Sequence, residues 1–557
     1  MASDSIAPDT ITPEIVAAGE KLLGIEYTAA ERALLAPTLA PQIALAQARR
    51  ALVFPETLAP ACRFDPRLPG WSPPAQPPFR PADPPPDSLP SDAEDIAFAP
   101  LTALGTWIRS RQISSAELTE LYLERIARLA PDLACIPTVT AERARAEAAE
   151  ADRLLAAGIY LGPLHGIPWG AKDLLDTAGI ATSWGAEPFA DRVPAEDAAV
   201  VRRLKAAGAV LVAKTAVGAL AFGDEWSGGK CRNPWNPEEG SSGSSAGSAS
   251  ALAAGLMSFT IGTETGGSIV GPAMRCGNTA LRPTFGRVSR IGAMPLAWSL
   301  DKVGPMARTV EDLALILQAI NGFDPEDPGS IDQPFGYDAG RPVEGLRLGY
   351  FPQDFESPET VALDRAALDT AREIGLELVP LERPDLPYLS LRAVLFAEAA
   401  AVFEELTASG RDELLRRQDA EAWPNEFRKA RFLSAVDLVQ LDRFRRQVMG
   451  IMEGCFAGVD AIIGPSMVGP MLVITNFTGH PGLVLRSGFI EMPTRSSSRA
   501  AAEAATPPTG PTHTVPHGIS LWGKLFDEGT ILNIGRAFER RFAVWDRRPT
   551  LHAPGRQ

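Results

Sequence analysis

Cysteine, histidine and long apolar runs are what this chain has least of. Five cysteines (Cys62, Cys135, Cys231, Cys276, Cys455) are scattered over 557 residues, odd in number and without C-x-x-C spacing. That excludes a disulfide framework and points to free thiols in a reducing compartment. The five histidines show no metal-ligand spacing, so no metal centre is expected. No stretch of about 18 apolar residues offers a transmembrane helix. The start, Met1 to Thr10, is acidic and has neither a basic n-region nor an apolar h-region. The cytoplasm is the expected location. Positive charge is also short, with 53 Lys and Arg against 68 Asp and Glu and a net charge of −15. A broad basic face for nucleic acid or an anionic membrane is thereby excluded as a partner surface.

What is present is apolar residue content of 45%, enough for a large core. The length would allow about three or four average domains, or one large domain with additions. Residues 12–53 read as a helical hairpin. Thr12 followed by Pro13 is an N-cap before a helix-compatible proline, Gly24 stops that helix, and Thr28 with Glu31 has capping-box spacing before the second. Residues 65–91 hold 11 prolines in 27 positions, which no helix or central strand survives. This stretch is either a strap lying on the main body or a disordered linker.

From about residue 95 helical and strand patterns alternate. Helices are expected from Ser114 to Ala130, over 141–157 and over 197–207. Strands are expected at Ala209–Ala213, Leu346–Phe351, Val459–Gly464 and Gly482–Leu485. The expected fold class is α/β, a mixed sheet covered by helices on both faces. The expected division is a hairpin extension over 1–62, a proline-rich linker or strap over 63–94, and one large domain over 95–557. Low-complexity residues 494–512 are expected as a surface loop within it.

Residues 240–272 carry the chemistry. Their Ser and Gly density resembles a linker, but the apolar run Ala249 to Ile261 does not. Two Ser-bearing turns bracket a small-residue helix and a strand. Gly266 and Gly267 before Ser268 let successive backbone N–H groups point one way, as an oxyanion requires. Ser268 is then the candidate nucleophile. It needs a base, and no histidine lies in either turn. Lys172, in H-G-I-P-W-G-A-K-D-L, has mostly small or apolar neighbours. Burial would lower its pKa and supply a neutral amine.

The segments W-G-A-K-D, G-S-S-A-G-S-A-S-A-L-A-A-G and G-T-E-T-G-G-S-I, in this order, resemble the amidase signature family. R-N-P-W-N-P, L-R-P-T-F-G-R-V-S, D-K-V-G-P-M-A-R and N-F-T-G-H-P extend the resemblance over residues 95–545. The resemblance implies a Ser–cis-Ser–Lys triad. Aligned on the family's Ser-rich turn, Ser244 is the relay serine after a cis peptide, Ser268, 24 positions later, the nucleophile, and Lys172 the base. Backbone N–H groups of Thr265, Gly266, Gly267 and Ser268 would form the oxyanion hole. The chain departs from the family at Glu264, where Asp is usual, at Val270, where Arg is usual, and at Arg275, where an aromatic residue is usual. A Glu264–Arg275 pair is expected to replace the usual one. Ser241, Ser242, Ser245 and Ser248 are expected as turn-formers or helix caps.

Other readings stay open beside this one. G-S-S-A-G matches the nucleophile elbow of α/β-hydrolases, with Ser245 as nucleophile. The implied activity is cleavage of a C–N bond in a small-molecule amide or carbamate, without cofactor or metal. The alternatives are a glutaminase-type component of a tRNA-dependent amidotransferase and a catalytically silent scaffold. The hairpin and strap are similar to the small accessory component of that complex. A homodimer is the assembly entertained. Trp184, Phe222 and Trp226 are the expected pocket residues, with core packing as their other explanation.

Overall fold

The computed structural model describes residues 11–83, 88–357, 360–495 and 510–551. Most of the low-complexity stretch, residues 496–509, lies outside the described residues.

The body is one mixed sheet of 11 strands. In chain order these are β1 (Thr138–Val139), β2 (Pro168–Lys172), β3 (Val210–Thr215), β4 (Phe259–Glu264), β5 (Thr279–Arg282) and β6 (Lys302–Ala307). Then come β7 (Arg347–Tyr350), β8 (Glu377–Pro380), β9 (Ala461–Pro465), β10 (Gly482–Pro493) and β11 (Thr512–Gly523). Their order across the sheet is β1-β3-β2-β4-β6-β5-β10-β11-β9-β7-β8. β3, β2 and β4 run parallel, as do β9, β7 and β8, while the strands between are antiparallel. β10 and β11 pair over a ladder from Gly482↔Trp522 to Pro493↔Thr512. The expected strand Gly482–Leu485 is therefore a far longer one. Polar residues from Glu491 onward hid its outer half, because that half leaves the core.

Both faces of the sheet are covered. In β3, Val210 and Val212 pack in one cluster with Leu123, Ile126 and Ala144, while Leu211 packs in another with Trp169 and Phe259. Alternate residues of a strand point to opposite faces, so each face has its own core. Leu123 and Ile126 belong to α3 (Ser115–Leu133), which opens on a Ser114/Glu117 capping box, and Ala144 to α4 (Ala141–Ala156).

In front of the body, α1 (Pro13–Leu23) and α2 (Ala29–Arg50) form a hairpin. Thr12 caps α1, Gly24 ends it at φ 66°, and Thr28 with Glu31 closes a capping box on α2. Arg32 and Glu20 join the two helices at 2.7 Å. The proline-rich stretch that follows lies against the body. Arg80 N–H donates to Tyr337 O at 2.7 Å, Gln76 Nε2 to Phe526 O at 2.9 Å, and Trp71 meets Phe526 edge-on at 5.7 Å. Proline has no N–H to donate, so side chains and scattered backbone groups make these contacts.

Candidate active site

Lys172 is the last residue of β2, at the carboxyl end of the parallel strands where open α/β sheets place their sites. Its side chain is fully buried. Nζ lies 2.8 Å from Ser244 Oγ, 2.9 Å from Ser245 Oγ, 2.9 Å from Thr263 Oγ1 and 3.2 Å from Thr263 O. All four neighbours are neutral oxygens. Burial drives the amine well below its ordinary pKa, and the more distant Asp301 and Glu264 offset this only in part. The adjacent Asp173 is engaged elsewhere, accepting from Ser183 N–H at 3.0 Å and Ser183 Oγ at 2.6 Å, with Lys214 at 3.5 Å.

The Ser-rich turn brings Ser244 to that amine. The Gly243–Ser244 peptide is cis. A Cβ on Gly243 would stand 1.7 Å from Gly223 O, so only glycine fits there. Ser242 N–H donates to Asp224 at 3.0 Å, and Gly218 N–H to Ser244 O at 3.3 Å. The helix α5 (Ala246–Ala253) begins at once and is buried throughout. Ser245 stands at its N-cap position but makes no side-chain cap bond. Its hydroxyl instead donates to Thr263 O at 3.1 Å and touches Lys172. Ser245 thus keeps the turn and N-cap position expected of it, while its hydroxyl is engaged by Thr263 on β4 rather than by the helix's own N–H groups. Ser248 pairs its hydroxyl with that of Thr215 at 2.8 Å.

The second turn, Thr265 to Ser268, joins β4 to α6 (Val270–Cys276). Gly267 has φ 136°, a conformation open to glycine. Among the described residues, no backbone N–H of Thr265, Gly266, Gly267 or Ser268 donates to a protein acceptor. Of the four residues Gly266 is exposed, Gly267 and Ser268 are half-buried and Thr265 is buried. Ser268 is half-buried, and its carbonyl accepts from Ser245 N–H at 3.1 Å, which ties the two Ser turns together. No hydrogen bond joins the hydroxyls of Ser244 and Ser268 in this state; catalytic contacts often tighten only when substrate is bound.

Glu264 fixes this loop. One carboxylate oxygen accepts from Ile269 N–H at 2.8 Å and Val270 N–H at 2.9 Å. The other accepts from Arg282 Nη1 at 2.8 Å and Asn476 Nδ2 at 2.9 Å. Burial works to raise its pKa, but Arg282 and the Val270 N–H outweigh it and hold the carboxyl below its usual range. The expected Glu264–Arg275 pair does not form. Arg275 lies at 3.7 Å from Glu239, because α6 turns it away from the sheet end. Thr265 Oγ1 donates to Asp301 at 2.6 Å, a second anchor for the loop. Thr263, Arg282, Asn476 and Asp301 each lie in a segment that carries the family resemblance, but nothing in the sequence assigned them a role, and Ser245 was expected only as an elbow nucleophile or as a turn-former or cap.

The walls near Ser268 are apolar. A Cβ built on Gly266 would meet Leu395 at 3.4 Å, and one on Gly267 would meet Leu472 at 3.0 Å. None of the three expected pocket aromatics lines the cavity that reaches Thr263 and Thr265. Trp184 is 5% exposed and packs in the core against Phe189 at 4.5 Å and near Phe403. Phe222 and Trp226 line a small cavity with Trp423, and Ser268 is not among its walls. The composition of these segments was legible, but which cavity or core each ring joins was not.

Among the described residues, no group of three or more His, Cys, Asp or Glu is arranged to hold a metal ion. Among the described residues, no helix is long and apolar enough to cross a membrane. His480 is pushed down to about 3 by burial beside Arg282, which leaves it no role as a base near neutrality. The Cys276 thiol is buried and pushed well up, so it is inert as a nucleophile.

The chain is 37% identical over 471 residues to a glutamyl-tRNA(Gln) amidotransferase subunit of Roseiflexus sp. (strain RS-1), covering 79% of this chain and 96% of that one. A Geobacter metallireducens protein of the same description is 35% identical over 467 residues, covering 78% and 96% of the two chains. Among solved structures, the native peptide amidase from Stenotrophomonas maltophilia superposes with a TM-score of 0.69 at 28% identity, covering 82% of this chain and 99% of that one. A protein described through a vestigial complex that reveals the origins of an s-triazine catabolic enzyme superposes with a TM-score of 0.70 at 27% identity, covering 80% and 98%. With residues 117–532 matching the family model described as Amidase, this chain belongs to the amidase signature family, whose members act on carbon–nitrogen bonds.

Proposed function

We propose that the chain is a serine amidohydrolase that cleaves the C–N bond of a small amide or carbamate through an acyl-enzyme on Ser268. The observation that carries this is the buried Lys172 amine, 2.8 Å from Ser244 Oγ and surrounded by neutral oxygens. A neutral amine has two N–H groups and one lone pair. Thr263 O can only accept, and Ser245 Oγ gives its own proton to Thr263 O, so both take N–H from Lys172. The lone pair is left for a hydroxyl proton, and Ser244 supplies the one that leads to Ser268.

The steps follow. Ser268 Oγ attacks the carbonyl carbon as its proton passes to Ser244 Oγ, whose own proton passes to Lys172 Nζ. The oxyanion meets the N–H groups of Thr265, Gly266, Gly267 and Ser268. The C–N bond breaks, and the amine leaves with the proton returned from Lys172 through Ser244. Water then attacks the acyl-enzyme over the same relay, releases the acid and restores Ser268. All five cysteines are unpaired, which suits a cytoplasmic setting.

A second reading, glutaminase within an amidotransferase, is favoured by the descriptions of its relatives. Ammonia release from free glutamine, set against hydrolysis of aryl amides and carbamates, separates the two. For the nucleophile itself, Ser268→Ala is expected to abolish both turnover and labelling by a fluorophosphonate. Labelling at full stoichiometry in that variant would overturn the assignment.

A further inference from the structure

A cavity of about 510 Å³ lies between the proline-rich strap and the body. The strap contributes Arg63, Phe64 and Arg67, with Cys62 just before it; the body contributes Phe285, Trp298, Arg290 and, from the helix α10 (Ala435–Phe456), Arg445, Arg446 and Met449. A smaller cavity lies beside it, with Ala59, Arg290, Trp298 and Pro328 in the walls of both. The smaller one reaches Thr263, Thr265 and Asp301, at the foot of the nucleophile loop. The helix α8 (Arg392–Val402) borders both places: Val394 lines the large cavity and its neighbour Leu395 faces Gly266.

The charges of the large cavity do not balance. Arg67 is matched by Asp65 at 2.7 Å and Arg290 by Asp327 at 3.0 Å. Among the described residues, no carboxylate lies within ion-pair distance of Arg63, Arg445 or Arg446. Arg445 is 2% exposed and donates only to neutral oxygens, those of Phe477 O, Ser299 O and Ser299 Oγ. Arg63 donates to Pro328 O at 2.7 Å, and Arg446 is exposed at the rim. Against them stand Asp442, exposed on the rim, and Glu398, which Ser299 Oγ bridges to Arg445; both offset part of the Arg445 charge without touching it. A buried cation with no carboxylate in contact favours an anion beside it. Phe64, Phe285, Trp298 and Met449 supply apolar walls between that charge and the smaller cavity.

We infer that this cavity receives the remote, anionic end of the substrate, a carboxylate joined to the scissile amide through an apolar or aromatic spacer. The inference rests on the assignment of Ser268 as nucleophile. It gives the strap a specificity role, since Arg63 lies outside the residues 117–532 that match the family model.

The test uses p-nitroanilides of dicarboxylic acids of increasing length, each compared with its own methyl ester, on the full chain. At the matching length the free acid is expected to exceed the ester at least tenfold in kcat/KM. In the Arg63→Ala/Arg446→Ala variant that ratio is expected to collapse towards one, while Arg63→Lys/Arg446→Lys keeps part of it. Calorimetry on the full-length Ser268→Ala chain reads the same preference as binding, without turnover. Equal handling of acid and ester at every length, or a preference that survives the alanine pair, overturns the proposal. Failure of the Ser268 assignment is read separately, as absence of fluorophosphonate labelling in the wild-type chain.

Discussion

At the scale of single residues, Lys172 shows how burial makes a base from a lysine. A surface lysine is an ammonium near neutrality; this one has four neutral oxygens around Nζ and no ionised partner in contact. Its folded pKa lies well below the ordinary value of 10.5. Between those two values the unfolded chain holds a proton that the folded chain does not. Stability from this group therefore falls as pH falls, by about 1.4 kcal/mol per pH unit inside the window. Lys172→Met removes that dependence. Compared with wild type, the variant is expected to gain melting temperature progressively as pH is lowered from 10 towards 7, while turnover is lost. A constant difference between the two melting curves across that range would show that Lys172 is protonated in the fold. Lys172 itself was legible in the sequence, from its motif and its small neighbours. Thr263 and Ser245 as its companions were not, because they come from β4 and from the start of α5 and meet only when β2 and β4 pair.

At the scale of elements, the nucleophile loop is held by a clamp rather than by its own turn. Glu264 at the end of β4 reaches forward to two N–H groups at the start of α6 and sideways to Arg282 on β5 and Asn476 on α11 (Met471–Thr478). Both charges of the Glu264–Arg282 pair are fully buried. Removing one partner leaves the other uncompensated, and such losses typically cost about 3–5 kcal/mol. Glu264→Ala is expected to fall in that range by urea denaturation; a loss under about 1 kcal/mol would mean that water or a neighbour replaces the carboxylate. That Glu264 needs a cation was legible. Which cation was not. Arg275 is nearer in sequence, but it sits on α6 and turns to Glu239, whereas Arg282 is carried back to Glu264 by the antiparallel pairing of β4, β6 and β5.

At the scale of the whole molecule, the strap ties the front of the chain to the far end. Its residues contact Tyr337, Phe526 and Pro328, and Phe64 packs on Phe285 at 5.1 Å under Arg445. The hairpin ahead of it is joined to the body by Arg49 and Glu404 at 2.7 Å, and it keeps Leu34 and Leu45 exposed. Deleting residues 1–92 is expected to lower the melting temperature by several degrees, since it uncovers the apolar faces of Phe285 and Phe526. An unchanged melting temperature would show that the strap adds nothing to the stability of the body.

The sequence by itself determined the local devices: the caps at Thr12, Thr28 and Ser114, the alternation of helix and strand, and the order of Lys172, Ser244 and Ser268. These follow from backbone preference and side-chain spacing, which act over a few residues. Tertiary structure alone decided the partners. It gave Lys172 to Ser245 and Thr263, Glu264 to Arg282, Trp184 to the core, and the proline-rich stretch to the wall of a charged cavity. Such pairings depend on which strands lie side by side and on which charge is left in a dry place. Neither is set until the sheet has closed over its two cores.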